Sequence, residues 1–243
     1  MPRLHDFDGT YSLAMAPIGI EEALSASEIA LDLGDGLRGT GFGAAVARVK
    51  TDRELCDRYA DRIAMIDQAA FRKWALVVVP IGIGTVIMSL ATIAGFLLIG
   101  VAYDLSDFSA VFVFYVGFGT ILTTTHGLAH LIVGWAFGIR FTSWFVGTIG
   151  RPQPGVKVDY VSYLKATPFR RAWMHASGAI VTKVVPFALI GAAIAADLPV
   201  WAVWLLPAIG IISLATDVVW STRKSDWKKF NREMAFAHMS RSG

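Results

Sequence analysis

Four stretches of this chain stay apolar over the roughly 20 residues that a membrane-crossing helix needs. They run about Trp74 to Tyr103, Phe108 to Phe137, Ala172 to Ala196 and Val200 to Trp220. Two of the breaks between them are short and polar, Asp104-Leu105-Ser106-Asp107 and Asp197-Leu198-Pro199. The break over residues 138–170 is longer and mixed, and its first part alternates in a way that suits a strand. Ahead of the first run, residues 46–73 are richly charged and read as helix. Ala47, Val49, Leu55, Cys56, Tyr59, Ile63, Ile66 and Ala70 form its apolar stripe. Residues 1–45 show no sustained period. Glu21 to Leu33 suits a short helix, and the glycines after it break it. The pattern therefore predicts a flexible N-terminal arm (1–45), a charged helix (46–73), a four-span membrane domain (74–220) and a basic helical tail (221–243).

Composition agrees with a membrane setting. Of 243 residues, 55% are hydrophobic and 17% are charged, against about 25% charged in a soluble domain. The distribution of Lys and Arg then orients the spans. Arg58, Arg62, Arg72 and Lys73 precede the first span. Arg140, Arg151, Lys157, Lys165, Arg170 and Arg171 lie between the second and third, and Arg223, Lys224, Lys228, Lys229 and Arg232 follow the fourth. The two short loops carry none. Both termini are expected in the cytoplasm, with the protein in the plasma (inner) membrane. Met1 to Glu22 is interrupted by Asp6 and Asp8 and does not read as a secretory signal. The single cysteine, Cys56, excludes an intrachain disulfide and a thiolate zinc site. The glycines of Gly34-Asp35-Gly36 and Gly39-Thr40-Gly41-Phe42-Gly43 follow no strand and precede no Lys-Ser/Thr, so they read as loop. No nucleic-acid partner is expected.

Ionisable residues inside spans are costly, and such residues point to function. Here they are His126, His130, His175, Lys183 and Asp217. His126 and His130 are four apart, so on a helix they share a face, a spacing that suits two ligands of one metal ion. His175 lies one turn past Arg171 and also suits an interfacial position. Lys183 lies too deep to snorkel easily and needs a partner or a wet cavity. Asp217 suits either a structural carboxylate near Arg223 or a third ligand. Two imidazoles and one carboxylate leave a fourth zinc position open, as catalytic zinc sites do. Thr120, Gly127 and Gly134, seven apart, place small residues along one stripe of the second span and allow close packing.

These motifs resemble, in order and topology, the site-2 protease family of intramembrane zinc metallopeptidases (peptidase family M50), over roughly residues 110–222. His126-Gly127-Leu128-Ala129-His130 matches the family's His-Glu-x-x-His at both ligands. Phe137 to Gly147 is similar to the segment that leads into a membrane-associated β-hairpin. Ser177-Gly178-Ala179-Ile180-Val181-Thr182 stands in place of Ala-Gly-Pro-x-x-Asn, and Thr216-Asp217 in place of the third ligand. The resemblance implies an all-α membrane protein of four transmembrane helices with a short membrane-associated β-hairpin between helices 2 and 3. It also implies Zn2+ on His126, His130 and Asp217. Thr182, Lys183 and His175 would lie where substrate or partner binds.

The departures from the family pattern bear on function. The family's general base is the Glu after the first His, and here that position is Gly127. General-base assistance supplies about 10²–10⁴-fold. Glu21, Glu22, Glu28, Glu54 and Glu233 all lie outside the spans, which leaves Asp159 and Lys183 as substitute bases. The family's Pro and Asn are replaced by Ala179 and Thr182. The expected function is a pseudoprotease, an accessory membrane protein that binds a membrane protein or peptide segment without cutting it. The alternatives are an active peptidase with an unusual base, and a structural or cofactor-binding subunit of a larger membrane complex. A haem would need His175 or a partner chain, because two histidines on one helix face cannot take both its axial sites.

Overall fold

The computed structural model describes residues 19–147, 154–219 and 225–239; the side chains of residues 217–219 and 239 are outside that description. The chain opens with three helices, α1 (Ile20–Asp32), α2 (Phe42–Val49) and α3 (Arg53–Trp74). On α3, Cys56, Tyr59, Ala60, Ile63 and Ile66 recur at the three-to-four spacing of one helix face. They bury against Leu24 and Leu31 of α1 and Phe42, Ala45 and Val49 of α2. Each such aliphatic or aromatic burial contributes about 1.5–3 kcal/mol. Arg62 ties the rim, reaching Glu21 at 2.5 Å and Glu28 at 2.8 Å on α1. Gly34, Gly39 and Gly41 adopt φ of 90°, 81° and 80°, so the glycine-rich stretch is the tight reversal from α1 to α2.

Two expectations change here. Residues 20–45 are packed rather than a flexible arm, because the stripe on α3 is wide enough to bury two further helices. Residues 1–18 lie outside the described residues. The charged helix of residues 46–73 is divided at Lys50-Thr51-Asp52. Asp52 takes an extended conformation and accepts hydrogen bonds from the backbone N–H groups of Glu54 and Leu55, which starts a new helix.

Next come β1 (Val77–Pro80), α4 (Ile81–Ala102), α5 (Asp107–Ala136), β2 (Phe141–Val146), β3 (Pro154–Val158), α6 (Tyr160–Lys165), α7 (Pro168–Ala188), α8 (Ile190–Ala195), α9 (Val200–Val219) and α10 (Asp226–Met239). Three of these stretches are long and apolar enough to cross a membrane: α4, α5, and α7 continued by α8 as Pro168–Ala195. On α4, Ile83, Val86, Ile87, Leu90, Ile93 and Leu97 are all exposed, which suits lipid rather than water. α9 is apolar over the shorter Val200–Thr216. α4 and α5 approach closely at Gly95 and Gly117, where a Cβ on Gly117 would meet the Gly95 carbonyl oxygen at 2.6 Å. Thr92 donates to Thr124 across the same pair at 2.8 Å.

The first membrane helix starts later than the apolar pattern predicts. Val77-Val78-Val79 is β-branched and favours a strand, and Pro80 then stands as N-cap of α4. β1 pairs antiparallel with β2, Val77 opposite Val146, and β2 pairs antiparallel with β3. The expected hairpin between the second and third spans is present as β2–β3, and β1 makes it a three-stranded sheet with β2 central. The basic tail is expected to be helical. Over Asp226–Met239 it is a helix packed against α7.

Candidate metal centre

His126 and His130 sit on α5, one turn apart, with ring centroids 4.8 Å apart and planes at 90°. Each is held by its Nδ1 from α7. His130 Nδ1 lies 2.7 Å from the carbonyl oxygen of Met174. A carbonyl only accepts, so that nitrogen carries the proton. His126 Nδ1 lies 2.9 Å from Thr182 Oγ1. The Thr182 hydroxyl donates to the Gly178 carbonyl at 2.9 Å, so it accepts from His126. In its neutral form each imidazole therefore presents an Nε2 lone pair on the other side. Gly178 makes room for this: a Cβ there would lie 2.4 Å from His130 Nε2.

A carboxylate occupies the same space. Asp226, from the first turn of α10, places Oδ2 3.4 Å from His126 Nε2 and 3.2 Å from His130 Nε2. Three acceptor atoms thus converge, all within 4.8 Å of one another. Bonds of about 2.0–2.1 Å to a tetrahedral zinc separate the ligand atoms by about 3.3–3.4 Å, close to both observed separations. Nδ1–H fixed to outer acceptors with Nε2 facing inward is the arrangement that metal-ligating histidines use. One added proton would satisfy only one imidazole, whereas a divalent cation satisfies both and the carboxylate together. His130 is 8% exposed, and the His126 and Asp226 side chains are 21% and 17% exposed, so leaving these groups unpaired carries part of the cost of a buried site. Asp226 Oδ1 accepts from Lys229 at 2.9 Å. Burial works against ionising Asp226, and the Lys229 ammonium beside Oδ1 acts the other way, holding its carboxyl below the usual carboxylate range.

The position after His126 is closed. A Cβ on Gly127 would meet the Trp144 ring at 2.6 Å, and one on Gly84 of α4 would meet the same indole at 2.4 Å. Trp144 on β2 is 2% exposed and donates its Nε1–H to Thr85 at 3.1 Å. The small-residue stripe on α5 is thus explained at two of its members. Gly127 receives Trp144, and Gly134 receives Phe141, whose ring would stand 2.5 Å from a Cβ. A glutamate side chain at position 127 has no space toward the histidines without moving the indole.

Other sequence candidates take different places. Asp217 lies on α9 with its side chain outside the described residues; among the described residues the carboxylate that meets the histidines is Asp226. Asp159 is the N-cap of α6 and accepts from the Ser162 N–H at 3.1 Å. It lines an open groove beside α3 of about 730 Å³ with Asp61 and Asp67. Lys183 donates to the Ala179 carbonyl at 3.3 Å. His175 is hydrogen-bonded to Tyr163 at 2.9 Å.

Sequence reasoning missed Asp226, and it missed a second buried cluster on the same helix. Glu233, two turns further along α10, is fully buried. Its Oε2 meets Arg171 Nε of α7 at 2.6 Å, and its Oε1 meets Nζ of Lys50, the C-cap of α2, at 2.6 Å. Tyr163 of α6 donates to Oε1 at 3.1 Å. Arg171 also donates to the carbonyls of Leu164 and Ala166. Burial raises the Glu233 carboxyl, but the two cations outweigh it and hold it below its usual value. Burial pushes Lys50 down to about 8 despite the attraction of Glu233. A usable signal was present. Asp226, Phe230, Glu233 and Ala237 follow one helix face.

Comparison with family models, with characterised proteins and with solved structures finds no match to this chain.

Proposed function

We propose that this chain is an integral membrane protein holding a divalent metal ion, zinc by ligand type, on His126, His130 and Asp226. We propose further that its role is to bind a membrane partner rather than to cut it. One observation carries the reading: two imidazoles fixed through Nδ1 turn both Nε2 atoms onto one carboxylate oxygen. When bound, such an ion supplies Lewis acidity and a rigid link between α5 and α10. The residues of the chain do the rest. Thr182 and the Met174 carbonyl orient the rings, Lys229 neutralises one oxygen of Asp226, and Trp144 fills the space beside His126. That filling argues against peptide hydrolysis, since it takes the place of the family's base.

The site-2-protease-like frame is part of the same proposal, and so are α9 as a fourth span, cytoplasmic termini and a plasma-membrane location. The order of motifs and the distribution of Lys and Arg support it. The partner is then a membrane protein or peptide segment. The test is elemental analysis of purified protein beside His130→Ala, Asp226→Ala and Asp217→Ala. About one zinc per chain is expected in the parent, retained by Asp217→Ala and lost in the other two. Absence of metal from the parent after zinc loading overturns the reading. Cleavage of single-span substrates by the parent, abolished by Asp226→Ala, would replace the binding role with an active peptidase.

A further inference from the structure

The metal ligand set is drawn from two helices of unequal security. His126 and His130 lie on α5, a 30-residue membrane helix. Asp226 lies in the first turn of α10, a 14-residue helix. What holds Asp226 against the imidazoles is therefore a question about what holds α10.

Asp226 and Glu233 are seven apart, two helical turns, so they project from one side of α10 about 10 Å from each other. Both point onto α7 and its neighbours. α7 supplies Arg171 to Glu233, and one to three turns later the Met174 carbonyl and Thr182 to the imidazoles. Both oxygens of Glu233 are engaged by cations, and Lys50 is 7% and Glu233 0% exposed at the side chain. A doubly engaged, buried carboxylate allows little change in axial position or rotation of its helix. Trp227 and Phe230 stack on the same helix at 5.2 Å, and Phe230 meets Trp173 of α7 edge-on at 5.7 Å. These contacts are apolar and set no register as narrowly as the ion pairs do.

We propose that Glu233 is the positioning residue of the metal centre. Clamped by Arg171 and Lys50, it sets the register of α10 on α7 so that Asp226 Oδ2 falls between the two Nε2 atoms. Because Lys50 is the C-cap of α2, the packing of the N-terminal helices also acts on the metal site through this clamp. The inference rests on the metal-binding reading above.

The test is Co2+ titration of the full-length detergent-purified protein, reading both affinity and the visible absorption bands that report ligand number. Glu233→Gln should weaken Co2+ binding by about 10–100-fold, the range for outer partners of a metal site. It should also move the bands toward those of Asp226→Ala. Lys50→Met, which leaves Arg171 on Glu233, should act in the same direction with a smaller change. A folded Glu233→Gln protein with affinity within about twofold of the parent and unchanged bands overturns the proposal. If that variant does not fold, Lys50→Met decides: unchanged affinity and bands overturn it. If the parent takes neither Co2+ nor Zn2+, the metal reading fails by itself. The positioning role is then read from hydrogen exchange over residues 226–233: faster exchange in Glu233→Gln supports it, and equal protection overturns it.

Discussion

Asp226, half-buried, and Glu233, fully buried, are two carboxylates on one face of one helix, and their surroundings differ in kind. Glu233 meets two full cations and a phenol. Its charge is balanced by groups the chain itself provides, so it is a structural pair. Asp226 meets one lysine on Oδ1, and on Oδ2 it meets two nitrogens whose protons are committed elsewhere. Those nitrogens can share a cation with Asp226 but cannot donate to it while neutral. Burial differs in degree between the two sites, complete at Glu233 and partial at Asp226. What separates a ligand site from a salt bridge is the direction in which the protons of the partners point.

The largest test of this contrast removes a ligand. His126→Ala is expected to abolish metal binding, from about one ion per chain to background, while leaving the Glu233 cluster intact. Retained stoichiometry would place the ion elsewhere. Next in size is Arg171→Met. It strips one cation from a fully buried carboxylate, a change that costs about 3–5 kcal/mol, read as a lower denaturation midpoint of purified protein. A loss below about 1 kcal/mol would mean Lys50 and Tyr163 suffice.

Thr182→Val keeps the side-chain volume near constant and removes the acceptor of His126 Nδ1–H. Zinc affinity should fall about 10–100-fold with stability changed little, measured by competition against a chromophoric chelator. An unchanged affinity would show that the ring is held by packing alone.

The smallest effect is on pH dependence. Lys50 titrates near 8 in the folded chain against 10.5 for the free group. Between these values the unfolded state holds more protons, so stability should rise with pH from about 8 to 10. Glu233, held low, contributes stability above its unfolded value that is lost as pH falls through its lower folded value. Thermal unfolding at pH 7.5 and 9.5 should show the first rise in the parent and not in Lys50→Met.

The position after His126 shows how far sequence reading reached. Gly127 read as the place of an absent base; in the structure its lack of a side chain admits the Trp144 ring of β2. Trp144 is far along the chain from Gly84, and the two glycines face it only because β1 and β2 pair under α4 and α5. The apolar runs located the membrane helices, yet the three valines before Pro80 joined a strand, since a local run does not reveal its hydrogen-bonding partner. The third ligand was sought inside a span, where a carboxylate is conspicuous. Asp226 lies among the lysines and arginines of the tail, where an aspartate draws no notice.

Periodicity and composition by themselves determined that the chain is mostly helical with helices long and apolar enough to cross a membrane, that α5 carries two histidines on one face, and that a strand follows it. These properties are local: apolar run length, four-residue spacing and β-branched alternation act within a single element. Only the tertiary structure decided which carboxylate joins the histidines, which protons face outward, and that residues 20–45 and the tail helix are packed parts of the molecule. Each of these depends on contacts between segments tens to more than a hundred residues apart. Such contacts form where burial, ion pairing and helix register agree, and no single stretch of sequence contains that agreement.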